Sequence, residues 1–244
     1  MTFLVAINCF IVPVRGQTIH VFEIYDTHDR VAGPFIEVAA EQIEQFTSTA
    51  VPDALGKAYR TVRKVYSGSS FEIDGLRDYL RSVEMFGARD IVLLFYIGHG
   101  ADDPHSRLPM LWLPDRASGQ TQYAAQTIVD ELRARRPRTL IAVFEACNVD
   151  DNIVPPSPGT VATFDPNQVR SILSNSFGIA IASAQEGQYS FVSSSGGIFS
   201  NKFLGLFRAG SSLTLSSFIA AAGSGIKIDL PRQPIQRPWV ERLW

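Results

Sequence analysis

"DIVLLFYIGHG", residues 90–100, is the stretch on which the fold turns. A strand with one wet face alternates apolar and polar side chains; here residues 91–97 are apolar without a break. Such a run belongs to a strand covered on both faces, as in a parallel sheet flanked by helices. Gly98 and Gly100 end it and bracket His99, which leaves an imidazole at the strand's carboxyl end. A second run of this kind, "TLIAVFEACN" (139–148), ends on Cys147. Between them "QTQYAAQTIVDELRARR" (120–136) has helical spacing and a basic end that suits its dipole.

Outward from this pair the alternation continues. "FLVAINCFIV" (3–12), "TIHVFEIYD" (18–26), "TVRKVY" (61–66) and "FGIAIASAQ" (177–185) read as strands. "PFIEVAAEQIEQF" (34–46) reads as a helix opened by proline. "SSFEIDGLRDYLRSV" (69–83) is amphipathic, with Ser69 and Glu72 at the spacing of a capping box. Strand and helix in alternation predict a doubly wound α/β sheet, mostly parallel, with helices on both faces, as one domain over residues 1–244. The one irregular stretch, "VDDNIVPPSPGTVATFDPN" (149–167), holds four prolines. It reads as a long exposed loop, at about 148–167, dividing the domain into a larger and a smaller part.

The totals exclude several classes. A net charge of -2 gives no field to attract nucleic acid or an anionic membrane, and "RARRPR" (133–138) is too short a basic segment to change that, reading instead as a solvated helix end. No apolar run approaches the ~20 residues that span a bilayer. The first residues lack the basic start and small-residue cleavage site of a secretory signal. Two cysteines make no disulfide framework, so a reducing, cytoplasmic setting is expected.

A lone cysteine after an apolar run is ordinarily core filling. Its position argues otherwise. Doubly wound sheets bind ligands beyond the carboxyl ends of their strands, where both His99 and Cys147 fall. A thiolate attacks a carbonyl, and a histidine within reach takes the thiol proton or protonates the departing amine. The amides of Gly100 and Cys147 are the candidate donors to the developing oxyanion. A zinc set of His99, Asp102, Asp103 and His105 fits no common ligand spacing, and His20 and His28 read as ordinary strand and loop residues.

These motifs together resemble the caspase-fold cysteine peptidases, and within them the metacaspase and orthocaspase branch. The likeness rests on "DIVLLFYIGHG", "LIAVFEAC", "IASAQEGQYSFVSSSGGIFSNKFL" and "LTLSSFIAAAGSGIKIDLPRQPIQRP", in that order over about residues 60–238. It implies a peptidase acting on protein or peptide substrates, with His99 as catalytic histidine, Cys147 as nucleophile, and Gly100 and Cys147 as the oxyanion hole. Asn148 departs from the residues that follow the cysteine in relatives.

Glu145 lies two residues before Cys147, hence on the same strand face, where the family lines its pocket for the residue before the scissile bond. A carboxylate there would favour a substrate guanidinium at ~4 Å by ~4 kcal/mol at an effective dielectric of ~20, and disfavour Asp. The expectation is cleavage after Arg or Lys, with Glu186 and Asp102 as further acid; a legumain-like preference for Asn and an inactive scaffold are the alternatives. No cofactor is required. Calcium, which many metacaspases use, would fall to Asp130, Glu131, Asp150 and Asp151. The loop holds no Lys or Arg before Arg170, so a basic-specific enzyme would work uncut. It would be a monomer, or a dimer through a sheet edge.

Overall fold

Side chains alternate across a strand, and in the centre of this sheet both alternating sets are apolar. The computed structural model describes residues 17–83, 86–147, 163–210, 212–228 and 235–244. Six strands form the main sheet: β1 (Gln17–Tyr25), β2 (Tyr59–Ser67), β3 (Ile91–Ile97), β4 (Thr139–Glu145), β5 (Phe177–Ala182) and β6 (Trp239–Arg242). Their order is β6-β5-β4-β3-β1-β2, all parallel except β6, which runs antiparallel to β5 at the edge. Every residue of β3, β4 and β5 is buried, as continuous hydrophobicity demands.

One face of the sheet offers Ile91, Leu93, Phe95, Ile141 and Val143. It is covered by α1 (Gly33–Gln45), α2 (Val51–Leu55), α5 (Pro166–Leu173), α6 (Ile198–Gly205) and α7 (Leu215–Ala222). The other face offers Val92, Leu94, Leu140, Ala142 and Phe144 to α3 (Asp74–Ser82) and α4 (Ala125–Ala134). The mixed α/β architecture with helices on both faces is the one read from the sequence.

The departures are local. The capping box at Ser69 and Glu72 does not form. A short 3-10 turn, Gly68–Ser70, is capped reciprocally by Ser67 and Ser70, and the helix starts only at Asp74. Glu72 instead pairs with Arg116. α4 spans fewer residues than 120–136, because Tyr123–Ala124 joins a small antiparallel sheet with Met110–Leu111 and Gly100–Ala101. The basic segment after α4 is not simply solvated: Arg135 donates to the carbonyls of Leu80, Val83 and Glu131, and Arg138 to that of Leu173. Where the irregular stretch enters the described residues, the Asp165 side chain caps α5 at the Asn167 amide, 2.9 Å. His20 is buried in the strand, bonded to the Tyr79 hydroxyl at 2.8 Å. The expected strand at 3–12, and most of the loop at 148–167, lie outside the described residues. Among the described residues no helix is long and apolar enough to cross a membrane.

Candidate active site

β1 and β3 are neighbours, yet β1 leads to β2 on one flank and β3 to β4 on the other. Their following helices, α1 and α4, cover opposite faces, so the loops at the carboxyl ends diverge and leave a crevice between them. That crevice is a cleft of about 630 Å³ whose walls include Asp26, His28, Asp29, Val31, His99, Trp112, Cys147, Ser190 and Val192.

The register of the sheet brings His99 and Cys147 to the same level. Ile97 of β3 is paired with Glu145 of β4, and the Gly98 amide donates to the Glu145 carbonyl at 3.2 Å. His99 and Cys147 each follow two residues later, on adjoining strand ends, and both line the cleft. Gly100 is fixed by this closeness: a Cβ there would lie 2.8 Å from both the Ala146 Cβ and the Cys147 carbonyl oxygen. Any side chain would push the two segments apart.

His99 is held from three sides. Its Nε2 lies 3.0 Å from the Asp29 carboxylate. Its carbonyl accepts from the Tyr96 hydroxyl at 2.6 Å and the Trp112 amide at 3.0 Å. The Trp112 ring, 41% exposed, sits over the imidazole with centroids 5.2 Å apart. Asp29 also accepts from the amides of Val31 and Ala32 at 2.8 and 2.6 Å, where the chain turns into α1. Burial alone would raise its pKa; the amide donors and the imidazole outweigh that and hold the carboxyl below its usual range. Asp26 is the opposite case: burial pushes it up, the imidazole of His99 pulls it down, and the Asp29 charge pushes it up again. Asp26, Asp29 and His28 are the site residues the sequence reading missed. "DTHDR" directly follows β1, and the rule that ligands gather at carboxyl ends would have found it had the order of β1 and β3 been known.

Cys147 is 9% exposed, and its Sγ donates to the Ser190 carbonyl at 3.5 Å. Burial pushes the thiol pKa up, with that hydrogen bond acting weakly the other way. A polar network backs it. Ser183 Oγ accepts from the Ala146 amide at 3.2 Å and donates to Ser190 Oγ at 2.7 Å. Gln236 Nε2, fully buried, reaches the Ser183 carbonyl at 2.9 Å and Ser190 Oγ at 3.3 Å. The glutamine near the end of the chain thus supports the strand that carries Cys147.

Glu145 departs from the role read for it. It borders the cleft, but its carboxylate, 2% exposed, turns to the start of α6. There it accepts from the Phe199 and Ser200 amides, at 2.8 and 3.0 Å, and from the Ser200 hydroxyl. Gly197 permits the approach, since a Cβ there would meet the carboxylate at 2.0 Å. Burial raises Glu145 to about 7 against the pull of its three donors. The cause of the misreading is plain: strand alternation fixed the face correctly but could not foresee a helix end arriving there. Glu186 and Asp102 do not line the cleft; Glu186 borders a separate groove with Asp103, His105, Arg107 and Trp239. Of the calcium set, Asp130 accepts from Gln126 and Glu131 from Tyr123, while Asp150 and Asp151 fall outside the described residues. His99, Asp102, Asp103 and His105 do not gather into a metal-ligating cluster among the described residues, and Asp103 accepts instead from the His105 amide at 2.9 Å. Among the described residues the one cluster of three metal-ligating groups is Asp26, Asp29 and His99.

The comparisons with known proteins bear on this geometry. The family model described as caspase domain matches residues 56–243. The crystal structure of caspase-1 from Spodoptera frugiperda superimposes with a TM-score of 0.52 at 15% identity, covering 93% of this chain and 88% of that one. A structural-genomics target from Geobacter sulfurreducens gives a TM-score of 0.51 at 15% identity, covering 93% of each chain. At such identities the likeness is one of fold. The search of curated proteins gave no match.

Proposed function

Because this chain belongs to the caspase-domain family, we propose that it is a cysteine endopeptidase in which His99 and Cys147 carry the reaction. The observation that carries the reading is the pairing of β3 and β4, which sets both side chains on one cleft. The thiol gives its proton to His99, and sulfur attacks the substrate carbonyl. The oxyanion is met by the amides of Gly100 and Cys147. His99 returns the proton to the departing amine, leaving a thioester; it then takes a proton from water, which releases the acid and restores the thiol. Asp29 is a positioning residue that fixes the ring through Nε2. Trp112 stands on the histidine side, and so beside the departing amine.

Basic residues before the scissile bond remain the favoured substrate, on different grounds from those first read. Glu145 is engaged with α6; the acid open to a ligand comes from Asp26 and Asp29, and the cleft lining holds no Lys or Arg among the described residues. Fluorogenic peptides ending in Arg or Lys should be hydrolysed and their Asp counterparts left intact; the reverse result would end the specificity proposal. One observation favours a second reading, an inactive scaffold: the thiol is nearly buried. Labelling of Cys147 by an Arg chloromethylketone separates the two, since a scaffold would not react.

A further inference from the structure

We infer that Tyr96 is a positioning residue for the oxyanion hole: its hydroxyl pins the carbonyl of His99 and so aims the amide of Gly100 at the substrate oxygen. The inference rests on the peptidase reading, in which Gly100 is one of the donors. Among the side chains of β3 the Tyr96 hydroxyl is the one polar group. The residue is fully buried, in the apolar layer that also holds Leu94, Leu111 and Phe144. A phenylalanine would fill that space as well, and a hydroxyl buried there costs free energy unless it is bonded. It donates to the His99 carbonyl, three residues ahead, at 2.6 Å.

The consequence lies in the peptide that joins His99 to Gly100. In a trans peptide the C=O and the N–H lie in one plane and point in opposite directions. Whatever fixes the His99 carbonyl therefore fixes the Gly100 N–H. The Trp112 amide supplies the second hold on that carbonyl, at 3.0 Å. Its bond also marks Gly100 and Leu111 as a non-hydrogen-bonded antiparallel pair, so the Gly100 N–H turns away from the Met110–Leu111 strand.

Such a hold is needed because glycines flank His99. Glycine accepts backbone angles that other residues resist, so a peptide bordered by Gly100 is easily rotated. An oxyanion donor works only when it is aimed before the charge develops. Gly98 is part of the same device. A Cβ there would lie 2.8 Å from the Tyr96 hydroxyl oxygen and 3.0 Å from Cζ. The glycine before the histidine thus clears the path by which the hydroxyl reaches the carbonyl beyond it.

The test compares two reactions of the full chain. Tyr96→Phe removes one oxygen and keeps the ring. Its kcat/KM on a fluorogenic peptide ending in Arg or Lys should fall about tenfold, less than the 10²–10³-fold lost with an oxyanion donor itself, since Trp112 still holds the carbonyl. Alkylation of Cys147 by iodoacetamide passes through no oxyanion, so its rate should stay that of the unmodified chain. Gly98→Ala, whose methyl crowds the same hydroxyl, should show the same split, with circular dichroism confirming that both variants fold. Hydrolysis unchanged in Tyr96→Phe, or hydrolysis and alkylation falling together, would overturn the inference and leave the peptidase reading standing. If the unmodified chain is alkylated at Cys147 yet cleaves no peptide, the reading itself falls and takes the inference with it.

Discussion

Asp29 bonds in two directions at once, to the first amides of α1 and to the ring of His99. Replacing it with Asn keeps the shape and removes the charge that holds the imidazole and its hydrogen in place. The Asp29→Asn chain should lose up to about 10²-fold in kcat. A purely structural residue would lower the melting temperature and leave kcat, measured well below it, where it was. The thiol gives a second test. Burial raises its pKa, and on the proposed mechanism attack depends on proton transfer within the substrate complex. Alkylation of Cys147 by iodoacetamide should then be slow near neutrality and keep rising beyond the ordinary thiol range. A flat, fast rate from mildly acid pH upward would mean a preformed ion pair. His99 and Cys147 were legible because each ends an unmistakable buried strand. Asp26, Asp29 and His28 were not, because their relation to His99 depends on β1 lying beside β3 across an intervening strand and three helices.

At the scale of elements, the join between β4 and α6 matters most. Glu145 satisfies two backbone donors at the start of an eight-residue helix that no side chain of its own caps. Glu145→Ala leaves those donors buried without partners, a loss of about 3 kcal/mol, or a melting temperature lower by about 6–12 °C. The sign of the pH effect is separate. A carboxyl raised to about 7 binds its proton more tightly in the folded chain. Its contribution to stability is full below the ordinary carboxylate range and falls away as pH rises through about 7. Thermal melts between about pH 5 and 8 should therefore slope downward in the unmodified chain and flatten in Glu145→Gln, whatever the offset between the two. The buried strands 91–97, 139–145 and 177–182 were plain in the sequence because a doubly covered strand permits no polar interruption. Helix starts were not. Ser69 and Glu72 have the right spacing, but Ser67 and Ser70 close the turn first, and α3 begins further on.

For the molecule as a whole, the layers follow from composition and alternation, whereas the crevice follows from strand order, which no local pattern encodes. The same order has a consequence for the chain's integrity. Residues 148–162 separate β4 from everything after it, yet the two sides meet along a full ladder between β4 and β5, through Glu145 at α6, and through Ala146 at Ser183. A single backbone cut between 148 and 162 would thus sever the polypeptide without parting its halves. Limited digestion there should yield two bands under denaturing electrophoresis but one undivided particle by gel filtration, with His99 and Cys147 on the earlier fragment and Ser183, Ser190 and Gln236 on the later.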